Sequence, residues 1–112
     1  MNLHWHHPEM FREQDRALAE ARIQELSAGH TDLIDVRISA KPSRHHQHGG
    51  QEVRITCQAR GREVVAARTR PDAGLALNET LDAFEREIWR MRQRRTSRRR
   101  ERPADRADEG QL

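Results

Sequence analysis

Residues 61 to 92 read GREVVAARTRPDAGLALNETLDAFEREIWRMR, and this stretch decides the fold. Its first part alternates, with Val64 and Ala66 on one face, which is typical of a half-buried strand. Pro71 and Asp72 then mark the start of a long helix. A narrow apolar stripe recurs along this helix at helical spacing and consists of Leu77, Leu81, Phe84, Ile88 and Met91. The opposite faces are charged, and a strand, a one-sided helix and an arginine run are typical of the end of a small nucleic-acid-binding domain.

The size and composition of the chain limit what it can be. With 112 residues, a hydrophobic fraction of 34% and few aromatic side chains, it has room for one small domain with a modest core. A large enclosed active site is therefore not expected. The single cysteine, Cys57, cannot form an internal disulfide, and no apolar run has the length of a signal peptide or a membrane span. These features favour the cytoplasm.

The positive charge is concentrated at one end of the chain. The net charge is +3, and residues 92–112 contribute +4 through eight arginines and four acids, so residues 1–91 carry −1. Lys41 is the only lysine. Almost every cation is therefore a guanidinium, which can hold phosphate through two parallel hydrogen bonds and can stack on bases.

The remaining elements follow from alternation and helical spacing. Residues 1–7 alternate as a short strand. A helix is predicted over about residues 9–28, since Pro8 and Glu9 favour a helix start and Gly29 follows in the position of a C-terminal cap. Its apolar arc consists of Phe11, Leu18, Ala19, Ile23 and Leu26. Residues 31–42 and 52–59 alternate as two further strands, and the inward positions of the first are Ile34, Val36, Ile38 and Ala40. A turn at Arg60 and Gly61 leads into the fourth strand.

The predicted order is thus β-α-β-β-β-α. Because each strand has one apolar face and each helix one apolar stripe, we expect an α+β fold, a two-layer sandwich in which a four-stranded mixed sheet has both helices packed on one face. We place this domain at residues 1–95. Residues 96–112 are predicted to be a disordered charged tail, because they offer almost no apolar side chain to bury.

The order and several segments resemble the ribosome hibernation family, which includes hibernation-promoting factor, ribosome-associated inhibitor A and the sigma-54 modulation proteins. The segments DAGLALN (72–78) and DAFEREIWR (82–90) are similar to the most recognisable part of that family. ARIQEL (21–26) and DVRISA (35–40) are similar to its first helix and second strand. The likeness extends over about residues 1–95 and is that of a short form without a second domain.

The resemblance implies a bacterial, cytoplasmic protein of the stress response that is not an enzyme. Such a protein binds the small ribosomal subunit and its 16S rRNA in the channel of messenger RNA and transfer RNA, and blocks translation by occupying it. The resemblance implies no cofactor, no small-molecule substrate and no membrane. The residues expected to contact RNA are arginines of the helices, of the segment that follows them and of the open sheet face: Arg22, Arg37, Arg54, Arg86, Arg90, Arg92, Arg94 and Arg95.

The histidines raise an alternative, a metal-binding or general RNA-binding module that does not inhibit ribosomes. They form two groups, one in the first strand and one in the loop after the second: His4, His6 and His7, and His45, His46 and His48. Imidazoles bind zinc, copper or nickel, but no Cys-x-x-Cys accompanies them, so we expect solvated histidines and no metal site. Two side chains have open roles. Trp89 either closes the core or presents a stacking plane, and Arg68 either snorkels past the helix or follows the end of its strand.

Overall fold

The computed structural model describes the backbone of residues 1–43 and 49–111, and side chains within that range up to Thr96. The loop histidines His45, His46 and His48 lie outside the described residues. The elements are, in chain order, β1 (Asn2–His6), a 3₁₀ turn (Pro8–Met10), α1 (Glu13–Ser27), β2 (Leu33–Ser43), β3 (Gly50–Ala59), β4 (Arg62–Arg70) and α2 (Ala73–Gln111). The predicted β-α-β-β-β-α order is therefore confirmed.

The strands form one mixed sheet in the spatial order β1-β2-β3-β4. β1 and β2 are parallel, so α1 is the crossover between them, and the other neighbours are antiparallel. β3 and β4 are joined by the predicted turn at Arg60 and Gly61, where Gly61 has φ +82°. This left-handed conformation favours glycine, because it has no Cβ to clash.

Both helices lie on one face of this sheet and enclose a single core. Every member of the α2 stripe is at most 2% exposed, and Phe84 and Ile88 are fully buried. The inward side chains of β2, β3 and β4 meet this stripe, among them Ile38, Ile55 and Val64. Burial of a side chain such as that of Phe84 stabilises the fold by about 1.5 to 3 kcal/mol, so the stripe holds α2 against the sheet. The predicted two-layer architecture is confirmed.

α1 begins later than the sequence predicts. Pro8 starts a 3₁₀ turn and not the helix, whose first residue is Glu13. Between them Phe11 is extended, with φ −117° and ψ 148°, and this conformation places its ring in the core, 5.2 Å edge-on from the ring of Trp5. The shorter helix buries a narrower arc than predicted, because Leu18 is 55% exposed while Ala19 and Ile23 are buried.

The start of β2 also departs from simple alternation. Alternation predicts Ile34 inward, but it is 46% exposed, and Leu33 is buried in its place. A register shift explains the exchange, since Leu33 lies opposite Ala59 while Asp35 lies opposite Gln58. An extra residue in one strand reverses the faces of the residues before it. From Val36 onward the predicted inward positions are buried.

The backbone of α2 is helical across residue 96, where the sequence analysis places the start of a charged tail. The division into a domain of residues 1–95 and a disordered tail of residues 96–112 stays a prediction. Among the described residues, no helix combines the length and the apolar character that a membrane crossing requires.

One buried ion pair joins the helices to the sheet. Arg92 on α2 donates from Nε to Asp32 Oδ2 at 2.8 Å and from Nη2 to Asp32 Oδ1 at 3.0 Å. The same Nη2 donates to the carbonyl of Leu26, near the end of α1, at 2.9 Å. Arg92 and Asp32 are 9% and 8% exposed, and the hydrogen bonds from Arg92 lower the pKa of the Asp32 carboxyl below 3.8. We call Arg92, Asp32 and Leu26 the helix lock.

We predict that Asp32→Asn lowers the free energy of unfolding by about 3 kcal/mol, because it leaves a buried guanidinium without its counter-charge. Denaturant unfolding at neutral pH measures this. The matched control is Asp35→Asn on the exposed sheet face, which should cost about 1 kcal/mol or less.

The lock also predicts a pH dependence. Its contribution is fully present above pH 3.8, the ordinary pKa of the carboxyl, and is lost as the pH falls through the lower pKa of folded Asp32. The stability difference between wild type and Asp32→Asn should therefore shrink in acid. A difference that stays constant far below pH 3.8 would contradict this assignment.

Candidate nucleic-acid interface

Six of the eight arginines predicted to bind RNA lie in three environments, while Arg92 belongs to the helix lock and Arg95 contacts the Arg60 carbonyl. The first is the helix seam, the contact between α1 and α2 around Arg22. Arg22 donates from Nη2 to Asp82 Oδ1 at 2.7 Å and from Nε to Glu85 Oε1 at 3.0 Å. Its Nη1 also donates to the Asn78 side chain at 3.3 Å. With its side chain 23% exposed, Arg22 is a link between the helices. Its guanidinium is already occupied by carboxylates that would repel a phosphate.

Arg92 is likewise engaged inside the protein, in the helix lock. Its buried guanidinium faces Asp32 and Leu26, so a phosphate could reach it only by displacing a carboxylate. Arg22 and Arg92 thus have structural roles that account for their presence. Their predicted contacts with RNA stay a prediction.

The second environment is the open sheet face, the side of the sheet away from the helices. Here Arg37 Nε lies 3.3 Å from Asp35 Oδ2, and Arg54 Nη2 lies 3.3 Å from Glu52 Oε1. His4 Nε2 lies 2.8 Å from the other Asp35 oxygen. The two arginines therefore lie beside carboxylates on the same surface. This face has polar concavities but little net charge to attract a polyanion.

The third environment is the groove between β4 and α2. Three arginines, Arg68, Arg86 and Arg90, line this groove, and Arg94 follows Arg90 one helical turn further along α2. We call these four arginines the basic edge. The groove has a volume of about 210 Å³, and Glu87 and alanines of both elements also line it. Arg86, Arg90 and Arg94 follow one another at intervals of four residues, a rise of about 6 Å each. The basic edge thus presents three arginines in succession on α2 and a fourth on β4.

The basic edge differs from the other two environments in its charge. Arg90 pairs with Glu87 at 2.7 Å but is 61% exposed, and Arg86 contacts only the backbone carbonyl of Asp82, at 3.3 Å. Arg94 is exposed. Because Glu87 is the one carboxylate lining this groove among the described residues, the edge has a surplus of positive charge. Arg95 is directed elsewhere, as it donates to the carbonyl of Arg60.

Sequence reasoning did not assign Arg68 to the site. β4 continues through Arg70, so Arg68 is within the strand and its guanidinium reaches past the helix to solvent, where Nη1 donates to the Ala67 carbonyl at 2.7 Å. Of the two open interpretations, snorkelling is the one observed. The sequence feature that could have assigned Arg68 to the site is its charge at an inward strand position beside the last helix.

Trp89 does not close the core, which is one of the two roles that the sequence leaves open. It is 52% exposed, and the Arg92 guanidinium carbon lies 5.4 Å from the centroid of its ring. Trp89 is one helical turn from Arg86 and next to Arg90, so an aromatic surface adjoins the basic edge.

Among the described residues, neither the cysteine thiol nor the possible metal ligands form a reactive site at these surfaces. Cys57 is fully buried in the core, and burial raises the pKa of its thiol to about 11, which leaves it protonated and unreactive at neutral pH. Among the residues that the structure describes, no three histidine, cysteine or acidic side chains are placed to hold a metal ion.

Comparisons with known proteins identify the fold. No family model and no curated protein matches the chain. Among solved structures, the Thermus thermophilus Protein Y N-terminal domain superposes with a TM-score of 0.59 at 14% identity, covering 80% of this chain and 94% of that one. A ribosomal subunit interface protein from Coxiella burnetii superposes with a TM-score of 0.62 at 12% identity, covering 82% and 98%.

The chain has the fold of these two proteins. The resemblance found in the sequence is thereby confirmed at the level of the fold. The match extends over nearly the whole of each neighbour.

We predict that Arg22 and Arg86 differ in their effect on stability. Arg22→Gln should lower the free energy of unfolding by about 1.5 to 2 kcal/mol, because it removes charged hydrogen bonds between the helices. Arg86→Gln is the matched control on α2 and should change it by about 0.5 kcal/mol or less. Thermal and denaturant unfolding of both variants measure this. Equal effects would contradict the division between a structural and a free arginine.

Proposed function

We propose that this protein associates with the ribosome and binds 16S rRNA of the small subunit through its basic edge. The observation that carries the proposal is the basic edge, three of whose arginines line the β4–α2 groove with a single carboxylate among the described groove residues. The fold supports it, since a similar structure is described as a ribosomal subunit interface protein. The partner is thus a folded RNA with a dense array of phosphates.

The spacing of the basic edge suits a phosphate backbone. Three of its guanidiniums recur along one rigid helix, and each can hold a phosphate through two hydrogen bonds. Binding releases the counterions that neutralise the RNA, which makes the affinity strong at low salt and steeply dependent on salt. Because the helix that carries these arginines is packed on the sheet, their binding orders the side chains and leaves the backbone unchanged, which limits the conformational entropy that is lost.

The other two surfaces are less suited to this task. A phosphate near Arg37 would also lie near Asp35, and one near Arg22 would lie near Asp82 and Glu85. At about 4 Å, two like charges repel by about 1 kcal/mol even in bulk water, and by more where water is excluded. We therefore assign the primary contacts to the basic edge and secondary ones to Arg37 and Arg54.

The proposed effect on translation is steric. A domain held on 16S rRNA in the channel of messenger RNA and the A- and P-site transfer RNAs would exclude them, without making or breaking a bond. The arginine run beyond Thr96 would add further phosphate contacts. The protein would thus act as a hibernation factor whose binding alone inhibits translation.

We predict that Arg86→Glu with Arg90→Glu abolishes co-sedimentation with small subunits at physiological salt. The slope of log affinity against log salt should fall by about 0.7 to 0.9 for each phosphate that the variant no longer binds. The melting temperature should change little, because both side chains are exposed. The matched control is Arg37→Glu with Arg54→Glu, which makes the same change in charge on the open sheet face and should retain most of the binding.

Two results would contradict the proposal, one about which residues bind RNA and one about which RNA is bound. If the edge variant binds and a chain truncated after Thr96 does not, the terminal arginines are the binding element and the basic edge is not. If the wild type binds an unrelated RNA duplex as tightly as small subunits, the protein is a general RNA-binding module.

A further inference from the structure

Trp89 is a large apolar side chain that the core does not use. It is 52% exposed, while its neighbours Ile88 and Met91 are 0% and 2% exposed and complete the stripe of α2. Charged and polar side chains flank it on α2, among them Glu85, Arg86 and Arg90. An isolated exposed indole with such neighbours lacks the contiguous apolar surface on which another protein would dock.

One face of the Trp89 indole lies against the Arg92 guanidinium. The Arg92 guanidinium carbon lies 5.4 Å from the ring centroid, within the range of a cation–π contact. Arg92 is itself fixed by its hydrogen bonds to Asp32 and to the Leu26 carbonyl. One face of the ring therefore rests on an immobile cation, and the exposed part is open to solvent. Such preorganisation lowers the entropy lost when a flat ligand stacks on the ring.

We propose that Trp89 is a stacking platform for an unpaired RNA base whose flanking phosphates lie on Arg86 and Arg90. This inference rests on the proposed function, because it places the base beside the same RNA strand. Arg86 precedes Trp89 by three residues, so the two side chains are neighbours on the helix surface about 5 to 6 Å apart at Cβ. A strand held at the basic edge can therefore turn one base onto the indole.

The proposal specifies the kind of RNA that this surface prefers. Bases in a duplex are stacked on each other and present no free face, whereas bases in loops and single strands can stack on an aromatic side chain. Stacking tolerates any base, since each has a π face. The protein should therefore prefer unpaired over fully paired RNA at equal phosphate content, with little discrimination by sequence.

A double-mutant cycle between protein and RNA tests the stack. The probes are a short single-stranded RNA, the same strand abasic at every position, and its duplex, and the proteins are full-length wild type, Trp89→Leu and Trp89→Phe. We expect Trp89→Leu to bind the intact single strand about tenfold more weakly than wild type, and Trp89→Phe to retain part of the affinity. On the fully abasic strand, which has no base to stack, wild type and Trp89→Leu should bind equally.

Fluorescence gives a second readout. Intact single-stranded RNA should quench the tryptophan emission of wild type and of Trp5→Phe, and should leave that of Trp89→Leu unchanged. Melting temperatures of all variants show whether the helix lock is intact.

The outcomes separate the two proposals. If wild type binds single strand and duplex equally, without quenching and without loss in Trp89→Leu, the stacking proposal is overturned while binding through the basic edge remains. If Trp89→Leu loses the same affinity on the intact strand and on the fully abasic strand, Trp89 acts on the fold and not on a base. If wild type binds neither RNA nor small subunits, both proposals fail.

Discussion

The arrangement of this domain depends on the helix lock. A helix that lies on a sheet through an apolar stripe can still slide or rotate slightly, because dispersion and hydrophobic contacts have little directionality. The buried hydrogen bonds of Arg92 to Asp32 and to the Leu26 carbonyl are directional, and they connect α2 to the start of β2 and the end of α1. Each residue turns a helix by about 100°, so fixing the phase of α2 fixes the directions of Arg86, Arg90 and Trp89.

Two contrasting groups of arginines occur among the described residues, although their chemistry is the same. Arg22 and Arg92 are paired with carboxylates inside the fold, and removing those carboxylates would leave charges without partners. Arg68, Arg86 and Arg94 have no carboxylate partner among the described residues and face solvent. A near-neutral charge over residues 1–91 is therefore compatible with a local surplus of positive charge at the basic edge. The electrostatics of binding follow from where the acids lie and not from the total charge.

Much of the fold could be predicted because alternation and helical spacing are local signals. The stripe of α2 and the faces of β3 and β4 are as expected, since each depends on residues close together in sequence. The exposure of Ile34 could not be predicted, because it follows from a register shift against β3. The late start of α1 has a similar origin, as Phe11 gives up helical geometry to bury its ring beside Trp5.

The site was less predictable, because the state of an arginine depends on distant partners. Arg22 and Asp82 are 60 residues apart, as are Arg92 and Asp32, and no local pattern shows that they meet. The sequence therefore identified the arginines, but it could not distinguish those that pair with carboxylates inside the fold from those that face solvent. Arg86 and Arg90 were predicted correctly as exposed, because their positions off the stripe of α2 follow from helical spacing alone.

The central claim is that RNA binds the basic edge, while Arg22 and Arg92 keep their hydrogen bonds within the fold. It is tested most directly by the arginine Nε–Hε correlation spectrum of ¹⁵N-labelled full-length protein, recorded during titration with a 16S rRNA fragment. The signals of Arg68, Arg86 and Arg90 should shift or broaden first, while those of Arg22 and Arg92 keep their positions. Early shifts of Arg37 and Arg54 with an unchanged basic edge would contradict the claim and place the RNA on the open sheet face.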